Sequence, residues 1–217
     1  MIAKTIFPNR KNLLLLFAAM IFSSCAGSAA QTMPSQTNTK PIKPSKQQLR
    51  QLILDLQVTA LKCDQKTLSL ARQTFEYVEA FRLKFNRFPT SFAELQRFRN
   101  RRVAEESKPI FSLPNPYADE TLVSKELRQE MINSGMTPSK FCKVIIENDP
   151  QISASFPLSL NNVRLYPASE EPGSIIVKHN GDAYVAVWCM GFSGKPILDE
   201  KTQLPMLFFK DFSMLDY

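Results

Sequence analysis

The sequence predicts an α+β fold in which a long N-terminal amphipathic helix packs on a small antiparallel sheet. Three observations carry that expectation. Residues 46–86 contain neither Gly nor Pro and repeat apolar side chains every three or four positions, the period that holds one helical face inward. The step Phe88-Pro89-Thr90-Ser91 then stops the helix. Beyond it, short runs rich in Val, Ile and aromatic residues alternate with turn residues, and an Asn-Gly pair separates two of them, the pattern of strands and a hairpin.

The chain opens on a basic stretch, MIAKTIFPNRKN, followed by the apolar run LLLLFAAMIF (13–22) and then by small residues, SSCAGSAAQ. Basic, apolar and small-residue regions in that order predict a secretory signal peptide over 1–25; the run is too short to span about 30 Å of hydrocarbon. Two processing sites compete. Ser28-x-Ala30 before Gln31 suits ordinary signal peptidase, whereas Phe22-Ser23-Ser24-Cys25 resembles the bacterial lipobox and would make Cys25 the site of lipid attachment. Each buried CH₂ of such an anchor adds about 0.8 kcal/mol of membrane affinity. Residues 26–45 are polar and dotted with Pro, the composition of a disordered tether.

Composition bounds the remainder. At 217 residues, 44% hydrophobic and 22% charged, the chain suits one medium domain with appendages rather than wholesale disorder. Lys4, Arg10 and Lys11 belong to the export segment, and without them the net charge of +7 falls to +4. That excess is too mild to imply a nucleic-acid partner.

Ser45 is placed to cap the long helix, with Gln48 as its capping-box partner. From there Leu49, Ile53, Leu56, Ala60, Cys63, Thr67, Leu70, Thr74, Val78, Phe81 and Phe85 fall on one face. An unbroken helix of this length measures about 60 Å. Apolar density thins at Cys63-Asp64, where a break would fall if there is one. The face over 67–85 is expected to be core, and that over 46–66 is either core or a stalk-like contact surface. Pro89 forbids continuation, because its ring clashes with the preceding turn and draws Phe88 towards extended geometry. Thr90 or Ser91 can cap the next helix, with Glu94 as partner to Ser91.

ARQTFEYVEAFRLKFNRFPTSFAELQRF (71–98) resembles the end of the long first helix of type IV pilins and type II secretion pseudopilins, with Phe88-Pro89-Thr90-Ser91 and Leu95 matching the family's step into a short helix. Asn86 stands where the family usually has Gly. LPNPYAD (113–119) and SIIVKHNGDAYVAVWCMGFSGKPI (174–197) are similar to the family's entry to the sheet and to its strand pair with the following loop. The resemblance implies a pilin-like globular region over 87–217 that works through protein contacts, as an accessory of a pilus or secretion-type assembly. It does not reach the N-terminus, which lacks the prepilin start. Ser193 occupies the slot of an acidic calcium ligand, so no metal and no cofactor is expected.

Further along, residues 124–135 predict a short helix ending at Gly135, a typical C′ residue. Strands are expected at 143–147, 162–166, on either side of Asn180-Gly181 in a two-residue hairpin, and at 204–212. Cys63, Cys142 and Cys189 make an odd set for an exported chain; if a disulfide forms, Cys142–Cys189 is the expected pair. Tyr184 and Trp188 share one strand face and are expected to cover the sheet.

No catalytic motif stands out. In a tight hairpin His179 opposes Asp182 as a surface pair, and Cys189 lies seven residues up the strand from Asp182, roughly 23 Å away and far beyond hydrogen-bond reach. One histidine and dispersed cysteines give no metal-ligand spacing. Arg97, Arg99, Arg101 and Arg102 form a dense basic cluster, either a contact for a partner or anionic group or a solvated face answered by Glu105 and Glu106. The expected function is non-enzymatic: a lipid-anchored protein of the bacterial cell envelope, exposed to periplasm or the outer face, that binds other envelope proteins and no nucleic acid. The competing reading is an envelope hydrolase using loop carboxylates such as Asp149, Glu170 or Glu171.

Overall fold

The structure, a computed structural model, describes residues 45–105, 113–133, 135–153, 170–181 and 183–213. The signal peptide, Cys25, the tether up to residue 44 and the strand expected at 162–166 lie outside the described residues.

Helix α1 (Lys46–Phe85) runs 40 residues without a break at Cys63-Asp64. Ser45 caps it as expected: its Oγ accepts from Gln48 N at 3.2 Å, and Gln48 Oε1 accepts from Ser45 N at 2.8 Å. The two threonines on its inner face, Thr67 and Thr74, are wholly buried and give their hydroxyl protons to the carbonyls of Cys63 and Leu70 one turn back, which satisfies them inside an apolar core. The helix stops at Asn86, whose φ of 53° is left-handed and whose N–H bonds Arg82 O at 2.9 Å. Asn tolerates this conformation better than most residues, so Asn86 serves where a Gly would otherwise stand.

After Pro89 the chain re-enters helix as α2 (Phe92–Glu105). Ser91 Oγ accepts from Glu94 N at 3.3 Å, but the Glu94 carboxylate reaches one residue further back than a capping box requires. It accepts from Thr90 N at 2.8 Å, from Thr90 Oγ1 at 3.2 Å and from the Arg87 guanidinium. The Arg87 hydrogen bond is the main reason the Glu94 carboxyl is held down at about 2. A carboxyl lowered on folding adds stability above its ordinary value near 4.5, and that stability is lost as pH falls towards 2. Glu94→Gln should therefore lower the unfolding free energy by about 1 kcal/mol at pH 7, a modest sum because the pair is partly exposed. Urea titrations should show the gap between the two proteins closing as the pH approaches 2.

Four strands follow, β1 (Val144–Asn148), β2 (Ile175–His179), β3 (Tyr184–Cys189) and β4 (Leu207–Asp211), side by side in that order. The β2–β3 and β3–β4 pairs are antiparallel, but β1 runs parallel to β2, with Val144 opposite Ile175 and Asn148 opposite His179. The sheet is therefore mixed rather than antiparallel throughout. The long connection 149–174 has the length a parallel return needs, which a hairpin would not. The β2–β3 loop is also longer than a two-residue turn: His179 pairs with Val185, and Asn180 Oδ1 accepts from both Ala183 N and Tyr184 N at 3.0 Å. Asn-Gly marks the hairpin correctly but only opens its loop, with Gly181 at φ +92°.

Alternation along the strands separates two apolar faces. Ile175, Val177, Val185, Val187 and Cys189 face the helices and join Ala71, Val78, Phe81, Phe88, Leu95 and Phe98 in the main core. Ile176, Ala186 and fully buried Trp188 form a second core on the opposite face, with Tyr184 stacked on Phe209 at 6.2 Å. A third cluster forms where α1 meets helix α3 (Lys125–Asn133) and the 3-10 turn Pro116–Ala118, around Cys63, Tyr117, Leu127 and Met131. Gly135 ends α3 as expected, with φ +76°, while Gly135 N bonds Ile132 O at 2.9 Å and Met136 N bonds Met131 O at 2.8 Å.

Candidate interaction surface

The residues with reactive side chains are dispersed. His179 is buried and not a surface partner: its ring stacks on Phe88 at 4.9 Å, and its Nδ1 accepts from Gly181 N at 3.1 Å. Burial lowers its pKa, against an opposing hydrogen bond at the Pro89 backbone. Asp182 lies outside the described residues. Cys189 sits opposite Ile175, at the far end of β2 from His179, so imidazole and thiol are about 13 Å apart along the sheet.

Cys63, Cys142 and Cys189 are all buried free thiols, and the expected Cys142–Cys189 bridge is absent. The reason is topological. Cys142 leads into β1, Cys189 ends β3, and β2 lies between them. Two strand spacings come to roughly 10 Å, beyond the separation a disulfide spans. Burial pushes the thiols up, Cys63 to about 11 and Cys142 to about 12, which keeps them protonated and unreactive at neutral pH.

The loop carboxylates do not converge either. Asp149 binds Lys178 Nζ at 2.9 Å beyond the C-terminal end of β1. Glu170 binds Lys143 Nζ at 3.0 Å, and Glu171 accepts from Ser139 N, both near the start of β2. A full strand separates the two positions. Among the described residues, no group of three or more His, Cys, Asp or Glu side chains is placed to hold a metal ion.

One polar constellation escaped the sequence reading. Asp64 is buried on the inner face of α1, where its Oδ1 accepts from the Tyr117 hydroxyl and from Phe192 N at 3.3 Å. Next to it, Cys63 Sγ points at Pro116 O at 3.5 Å. Burial first, and then the Asp64 charge, raise the Tyr117 pKa far above its ordinary value, so the phenol stays a donor. Gly191 lies close against the pair, since an added Cβ would come within 3.0 Å of Asp64 Oδ1. The network joins α1 to the 3-10 turn and to the loop after β3. It is enclosed and makes a structural clasp. Its trace in the sequence is the thinning of apolar residues at Cys63-Asp64, where a carboxylate takes an inward position.

The open surface lies below that clasp. From Ser45 to Lys62, about 25 Å of helix, none of the described residues is buried, and the side turned from the body is open. Leu56 turns to the Tyr117 cluster. Leu52, Leu54, Val58 and Leu61 are 41%, 53%, 49% and 44% exposed, and Leu54, Val58 and Leu61 fall on one line at spacings of four and three. The arginine cluster is less unified. Arg97 is exposed, whereas the Arg99 guanidinium lies 4.3 Å over the Tyr77 ring, a cation–π contact that ties it to α1. Arg101 and Arg102 belong to α2, but their side chains are outside the description.

No protein-family model, curated protein or solved structure matches this chain. No helix among the described residues is long and apolar enough to cross a membrane.

Proposed function

We propose that this chain is a non-enzymatic protein of the bacterial cell envelope, held to a membrane through Cys25 and acting by protein–protein contact through the first four turns of α1. The observation that carries the contact is the exposed line Leu54, Val58 and Leu61 on a helix that is capped at Ser45 and continuous with the core. An apolar stripe on a preformed helix is the usual instrument of helix-mediated recognition. The basic, apolar and small-residue order of 1–31 supports export. The likeness of 71–98 to pilins and pseudopilins supports a place beside a pilus or secretion-type assembly.

Fractionation tests the anchor. The wild-type chain should sediment with membranes, and Cys25→Ala should pass largely to the soluble fraction. Retention of Cys25→Ala on membranes, or a wild-type chain found only in the cytosol, would overturn the reading.

A further inference from the structure

We infer that the first four turns of α1 pair with the same segment of a second copy of this chain, in parallel and in register, through Leu54, Val58 and Leu61. This deepens the proposed contact surface and rests on it.

The argument begins from the heptad frame of the exposed line. With Leu54 and Leu61 at d, Val58 falls at a, and Gln51 and Gln65 take the flanking a positions. A β-branched residue at a with leucines at d favours two parallel strands. The same frame sets Arg50 and Gln57 at g, and Asp55 and Lys62 at e. In a parallel pair, g of one helix meets the e five residues further along its partner. Arg50 therefore meets Asp55 of the second copy, once on each side of the seam. Gln57 meets Lys62, and no like charges are brought together.

Direction follows from the layers. In register and parallel, each of Leu54, Val58 and Leu61 meets its own copy, and Gln51 meets Gln51. An antiparallel arrangement pairs a with d, and would leave either Leu54 against Gln65 or Leu61 against Gln51. Each such layer sets an amide against an aliphatic side chain that cannot pair with it: Gln51 Nε2 keeps its bond to Asp55 Oδ1 at 2.9 Å, but the remaining polar groups of the amide meet nothing across the seam, a cost in free energy that the parallel pairing avoids. The seam also points away from the chain's own core, because Leu56, which packs against the Tyr117 cluster, lies nearly opposite Val58 around the helix.

Two heptads bury little area, so association in dilute solution is expected to be weak. Two conditions offset this. The helix is already formed as part of α1, so pairing does not bear the cost of nucleation. Anchoring on one surface raises the effective concentration of each copy for the other, and tethers that enter both helices at Ser45 favour the parallel direction.

Disulfide trapping in membranes from cells expressing the full chain tests the pairing. Leu61→Cys and Leu54→Cys lie on the seam, while Leu52→Cys is similarly exposed but turned away from it. These are surface positions, so the fold should tolerate all three. Two differently tagged copies are expressed together and oxidised with copper phenanthroline, and the unsubstituted chain sets the background of the native cysteines. The expected result is a product carrying both tags from Leu61→Cys and Leu54→Cys, at least about fivefold above Leu52→Cys, the ratio that would follow from about 1 kcal/mol of registry preference. Trapping of Leu54→Cys only with a Gln65→Cys copy would overturn the parallel register. A product with a different protein and none between tags would overturn the second copy while leaving the contact surface in place. No product at any seam position would overturn both.

Discussion

Phe88→Ala is expected to cost about 3–5 kcal/mol of stability, the range for emptying a buried aromatic site. Phe88 is 3% exposed, and three groups converge on its ring: His179 at 4.9 Å, Phe212 edge-on at 5.8 Å and the Arg82 guanidinium at 5.5 Å. The residue comes just before Pro89, which confines its backbone to extended geometry and limits how far it can move to fill the cavity. Phe88→Leu keeps much of the burial and should cost less than half as much. The same change has a pH signature. Folding holds the His179 pKa below its ordinary 6.5, chiefly by burial, although the Pro89 backbone contact opposes this. The unfolded chain therefore takes up more protons below pH 6.5, and stability falls as pH drops through that value. Opening the site to water in Phe88→Ala should return the imidazole towards its ordinary pKa and flatten this part of the profile. Urea midpoints at pH 7.5 and 5.5 measure both effects. An unchanged midpoint at pH 7.5 would refute the packing role, and an unchanged difference between the two pH values would refute the coupling to His179.

What the sequence revealed was local. The Ser45 cap, the stop before Pro89, the Ser91 cap and the Gly135 ending each depend on side chains within a few residues of the backbone groups they serve. The long helix and most of its inward face followed from one period, but that period left a break at Cys63-Asp64 open, and Phe85, expected to face the core, is 45% exposed at the helix end. The parallel β1–β2 pair was hidden, because its direction is set by how the chain returns through 149–174 and by no signal within either strand. His179 read as a cross-strand surface partner of Asp182 because Asn180-Gly181 marks a hairpin without fixing its loop length. In β2 His179 follows Ile175 and Val177 on the side that faces the helices, and its imidazole packs against Phe88. Arg99 read as part of a basic patch until Tyr77, one helix away, was seen beneath it. The contact surface was half legible: the period offered either core or stalk for 46–66, and only the position of the folded body decides which side chains remain outside.

Asp64→Ala is the second substitution expected to have a large effect, about 3 kcal/mol. The loss comes from taking away the acceptor used by the buried Tyr117 hydroxyl and by the partly buried Phe192 N. A buried donor deprived of its acceptor costs about 1–3 kcal/mol. Relief from no longer burying a carboxylate offsets part of the sum. Asp64→Asn separates these contributions, since its amide oxygen can still accept both bonds, and it should cost about 1 kcal/mol. Tyr117→Phe removes the principal donor from the other side. If the clasp works as a unit, Asp64→Ala and Tyr117→Phe together should cost less than the sum of the two single changes, because each already breaks the bond that the other would break. Equal losses for Asp64→Ala and Asp64→Asn would show that the hydrogen bonds are not what Asp64 contributes. The clasp also bears on the exposed helix. It is the first buried point above the open turns of α1, joining them to elements 53 and 128 residues away in the chain. Loosening it should free the lower helix from the body. Amide exchange over 113–118 and 190–194 should then quicken well before that of Val177 and Val187 in the central strands.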